Sequence, residues 1–135
     1  MGAWGIGSFD NDHASDWLLD LLEGDDLAPM RAAIAQVLAE DDYLDSDLAV
    51  EALAAIEVLA ATLGRPTVAA QEEEEFREWL ARLQLQGDAS LVPDALRAIE
   101  RILAPDSELR ELWEETEDYA DWCADVARLR SHVSA

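Results

Sequence analysis

The chain has no lysine, one cysteine and no long apolar run, and each scarcity removes a class of protein. Without lysine, 31 acidic residues stand against 9 arginines, and the formal net charge is -22 over 135 residues. Binding DNA, RNA or an anionic bilayer relies on cationic side chains near phosphates, so neither nucleic acid nor a membrane surface is an expected partner. A basic protein is what such a charge attracts. The same Ala/Leu/Arg/Asp-rich usage also arises in salt-rich or GC-biased proteomes. The lone Cys123 cannot form an internal disulfide, which suits a reducing compartment. No window approaches eighteen uninterrupted apolar residues, so no membrane-spanning helix is expected. The start shows no basic region followed by an apolar run, and the lipidation pattern that Gly2 invites fails at Ile6. A cytoplasmic protein is the expectation. Sustained alternation and β-branched richness are missing too, so strands are not expected.

What is present is core-forming material. Half the residues are hydrophobic and five are tryptophan. A chain of this length buries roughly two-thirds of its extended surface, enough for a core without disulfide or metal. The expected fold is all-α: a single domain over residues 1–135, a bundle of about six helices behind an irregular arm. In that arm, Met1 to Phe9, Gly2, Gly5 and Gly7 alternate with Trp4, Ile6 and Phe9, which would peg it to the core. A two-stranded ribbon there is the only place for β-structure.

Apolar spacing and caps predict helices over Asp12–Leu22, Leu27–Ala39, Asp47–Gly64, Glu72–Leu85, Leu91–Leu103 and Ser107–Ser131. Asp10 or Asn11 caps the first, Asp26 the second and Ser90 the fifth. Tyr43 and Leu44 fold back onto the domain. The third helix is apolar on most sides, with only Glu51, Glu57 and Thr62 polar between Ala49 and Leu63, so it is the expected centre. In the sixth, the inward stripe includes Leu109, Trp113, Ala120, Cys123, Val126, Ala127 and Arg130. Trp122 and Leu129 lie on its border, and a break is possible near Tyr119.

Specific chemistry is sought first in Phe9-Asp10-Asn11-Asp12-His13, followed by Asp16 and Trp17. Two readings stand side by side. Asp10, Asp12 and Asp16 could hold a hard cation, since Asp12 and Asp16 share a helix face. Alternatively Asp10 or Asn11 caps the helix, Asp12 favours its dipole and His13 is solvated. The calcium-loop spacing is absent, as are a phosphate-loop pattern and zinc spacing around His13, His132 and Cys123. Cys123 reads as a buried small hydrophobe, and Glu72 to Glu75 as a solvated helix start. No cofactor and no catalytic residue is implied.

The opening stretch from Met1 to Trp17, of the form M-G-x-W-G-x-G-x-F-D-N-D-x-A-x-D, resembles the DUF4259 family, small bacterial proteins of unknown function. The likeness continues through Asp41–Leu44, Glu57–Pro66 and Ser107–Glu115. It implies that Gly5, Gly7, Phe9, Asp10, Asn11, Asp12 and Asp16 belong to a family signature, and it implies no activity. Small proteins of this general type include immunity and antitoxin components. The leading expectation is therefore a small acidic protein-interaction module, immunity- or antitoxin-like, with a candidate patch at Trp4, Phe9, Asp10, Asn11, Asp12, His13 and Asp16. The alternative is a metal-dependent enzyme or metal-binding protein using the Asp10–Asp16 cluster. An enzyme is the less favoured class.

Overall fold

A computed structural model describes residues 5–135, and Trp4, one expected peg of the arm, lies outside them. Eight α-helices follow one another among the described residues: α1 (Asp12–Glu23), α2 (Ala28–Ala39), α3 (Ser46–Thr62), α4 (Val68–Gln71), α5 (Glu74–Leu83), α6 (Val92–Ile102), α7 (Glu108–Glu114) and α8 (Tyr119–Ser134). A short 3₁₀ turn, Ala89–Leu91, leads into α6. The all-α class holds. The isolated β-bridge joins Leu44 to Ser107, two inter-helix connections, and not the arm. None of these helices is long and apolar enough to cross a membrane.

The count of about six helices is corrected to eight, and both additions have a local cause. Between the helices expected to end at Gly64 and begin at Glu72, Thr67 accepts a hydrogen bond from the Ala70 N–H and nucleates the one-turn α4. In the long final helix, the Thr116 hydroxyl and N–H both return to the Trp113 carbonyl. The Asp118 N–H then bonds the Thr116 hydroxyl, so the helical ladder stops and restarts as α8.

That restart resets the helical phase and corrects the inward stripe. Trp122, Val126, Leu129 and Val133 are buried on α8, while Ala120, Ala127 and Arg130 are exposed and Cys123 is half-buried. Trp122, expected at the border, stacks on Trp113 with centroids 6.2 Å apart and planes 12° apart.

Several termini shift by a residue or two. Asn11 caps α1, its Oδ1 accepting from the Ala14 N–H at 2.8 Å. Asp26 accepts from the Ala28 N–H, but Leu27 occupies the cap position of α2. Asp88, not Ser90, holds the start of the 3₁₀ turn before α6. Gly64, at φ +83°, ends α3 as expected, since glycine takes the left-handed conformation freely. Of the pair expected to fold back, Leu44 is buried and Tyr43 is 46% exposed.

α3 is the central helix, as its near-continuous apolar surface requires. Every residue from Ala52 to Ala60 is buried. α1, α2, α6, α7 and α8 all pack on it. Of its polar residues, Glu51 and Thr62 keep partial exposure and Glu57 is buried, which makes Glu57 the exception that organises the site.

Candidate functional site

The glycine-spaced arm is a knot tied by Asp10. Its carboxylate accepts the Gly7 N–H at 3.0 Å, and the Gly7 carbonyl accepts the Asp10 N–H at 3.1 Å. A Cβ built on Gly5 or Gly7 would lie 2.6 or 2.7 Å from Asp10 Oδ2. The glycines leave space beside this carboxylate, and since neither takes a positive φ, space rather than backbone freedom is what they supply. Phe9 enters the core, and its carbonyl accepts the Ser15 hydroxyl of α1.

The expected patch is only partly gathered. Asn11 is buried and caps α1. Asp12 and Asp16 are exposed on α1. His13 Nε2 lies 2.5 Å from Glu51 Oε2 and fastens α1 to α3. Asp10 is turned into the arm. Among the described residues, no group of three or more His, Cys, Asp or Glu side chains is placed to hold a metal ion.

What the structure gathers instead is a cleft of about 260 Å³ between the arm, α3, α4 and α8. Asp10, Glu57, Glu72, Asp125 and Arg128 line it, with Thr67. Glu57 is only 2% exposed. Thr67 accepts from the Ala70 N–H and donates its own hydroxyl proton to Glu57 Oε1 at 2.5 Å, so one hydroxyl ties α4 to α3. Burial pushes the Glu57 carboxyl up, opposed by the hydrogen bond from Thr67. Asp125 is also raised, chiefly by burial. Arg128 opposes that shift and the Asp10 carboxylate adds to it. Glu73, next to the cleft, is raised by burial and by Asp10, Glu72 and Glu75.

One signal for this cleft is legible in the sequence: a glutamate inside the most apolar helix. Thr67 and Asp125 carried none, because only the folding of α4 and α8 against α3 brings them to Glu57.

Seven of the nine arginines are engaged internally. Arg31, Arg97, Arg101, Arg110, Arg128 and Arg130 form ion pairs with Asp88, Asp94, Asp106, Glu114, Asp125 and Glu100. Arg65 donates to the carbonyls of His132 and Val133 at the end of α8. Most acids have no such partner, so the surface field is negative.

Residues 2–125 match the family described as a domain of unknown function, DUF4259. No curated protein and no solved structure matches the chain.

Proposed function

This chain belongs to the DUF4259 family, and we propose that it is a small acidic protein-interaction module whose partner is a basic protein. One observation carries the reading: six of its nine arginines are already paired with its own acids, so most of the 31 carboxylates stand without an arginine partner and the surface is strongly negative. A field of one sign speeds encounter with a cationic surface and repels anionic ones. An immunity- or antitoxin-like pairing with a basic effector is the form we favour. The reading requires no reaction chemistry of the cleft.

Calorimetric titration against the basic products of neighbouring genes tests it. Binding is expected with at least one of them, weakening about tenfold or more between roughly 50 and 300 mM salt, because exposed charges are screened over that range. No heat with any of them overturns the reading.

A further inference from the structure

Helices α1 and α5 run side by side in the same sense. Ser15 and Leu18 lie beside Glu73–Phe76, and Leu22 lies beside Glu78, Trp79 and Arg82. The Trp79 indole N–H reaches the Gly24 carbonyl at 3.0 Å and fixes the far end. Between the helices run two adjoining depressions of about 340 and 430 Å³ that share Leu22 and Glu75.

The apolar surface on offer is Leu22, half-buried, and Leu19 on the lip, seated over Leu18, Phe76 and Trp79, which are already buried. Leu19 is 52% exposed, one of the few large hydrophobic side chains presented to solvent. The walls are acidic. Glu73, Glu74, Glu75 and Glu78 stand along α5. On α1, the exposed Asp16 and Glu23 are three residues before and four after Leu19, and so share its face. Arg82 is the single cation, at one end.

An apolar floor between acidic walls selects its occupant. A neutral helix would cover Leu19 and Leu22 but leave carboxylates crowded at the rim. A helix with an apolar stripe flanked by lysine or arginine satisfies both. Glu73 is raised by burial first and then by the neighbouring Asp10, Glu72 and Glu75, and a cation there would favour its charged form. A second copy of this chain would bring acid against acid. From Glu73 to Arg82 the groove spans about 14 Å, two to three turns of a docked helix.

We propose that the α1–α5 groove is the docking surface for a basic amphipathic helix of the partner. This rests on the acidic-module reading and gives it a surface.

Two synthetic peptides of about fourteen residues, built of leucine and lysine, test it against the whole protein. In one, leucines fall at helical spacing; the other has the same composition scrambled. The amphipathic peptide is expected to bind about tenfold or more tighter. Leu19→Asp and the pair Glu75→Lys/Glu78→Lys are each expected to remove about tenfold of that affinity, while Glu115→Lys/Glu117→Lys changes it by about twofold or less. All five positions are exposed, so the fold should survive, and the peptide comparison on the unmutated chain does not depend on the variants. Equal binding of the two peptides, or equal losses at both pairs, overturns the groove and leaves the acidic module standing. No binding of either peptide also overturns the groove, and the titration against basic neighbours then decides the module separately.

Discussion

At position 57 a carboxylic acid sits on the central helix with almost no exposure to solvent, held by Thr67. Its raised proton affinity is a stability statement. The native chain holds that proton more tightly than the unfolded chain does. Stability therefore falls as pH climbs from the ordinary carboxylate range through the shifted value. Glu57→Gln keeps an acceptor for Thr67 and has no charge to bury. It is expected to raise Tm by about 3–6 °C near neutral pH, the shift that roughly 1 kcal/mol produces at this chain length. The gain should shrink toward about pH 4, where the carboxyl is protonated in both states. Calorimetric Tm values across that pH range check this, and a variant that melts lower at neutral pH contradicts it.

Asp10 gives a second prediction at this scale. Because a Cβ on Gly7 meets Asp10 Oδ2, Gly7→Ala and Asp10→Ala should not add. Each alone is expected to cost about 1 kcal/mol, from a forced shift in one case and a lost acceptor for the Gly7 N–H in the other. With Asp10 already truncated, the alanine at position 7 should cost less. Denaturant titration of the two single variants and the double variant measures the difference.

At the scale of elements, α8 departs most from the pattern its sequence suggests. Extending one apolar stripe across residues 107–131 put Cys123 inward and Trp122 at the edge. The turn at Thr116 breaks the ladder, and Trp122, Val126, Leu129 and Val133 become the buried row. Neighbouring substitutions separate the two phases. Trp122→Ala removes the stack on Trp113 and is expected to cost about 3–5 kcal/mol, whereas Cys123→Ala should cost about 1 kcal/mol or less. Chemical denaturation midpoints decide it, and comparable losses at both positions would restore the unbroken stripe. The shorter change, α4, shows the same rule in small. A single threonine hydroxyl that accepts one N–H and donates to a buried carboxylate turns a linker into a helical turn.

For the whole molecule, the surplus of acid is a repulsive load carried by a small body. The accessible surface is 6957 Å² for a net charge of -22. Self-repulsion of this kind is relieved by screening. Raising sodium chloride from about 10 mM to about 500 mM is expected to lift Tm by several degrees, since the Debye length falls from roughly 30 Å to a few ångströms. Scanning calorimetry at fixed pH measures it. A Tm that stays flat or falls with salt would mean that the internal arginine pairs, which salt also weakens, outweigh the repulsion.

Composition and periodicity were sufficient for the helical class, for the burial of α3 and for the first two helices, because these follow from local spacing and from the need to bury an apolar surface. The N-terminal signature was equally legible as a string, from Gly5 through Asp16. Its purpose was not: that Gly5 and Gly7 clear room for Asp10, and that His13 reaches Glu51, depends on where the chain turns. Tertiary structure alone decided the cleft around Glu57 and the groove between α1 and α5. Both join residues far apart in sequence, and periodicity carries no information about which helices become neighbours. Charge of one sign is a property of the sequence. Which of those acids stand beside an exposed leucine is a property of packing.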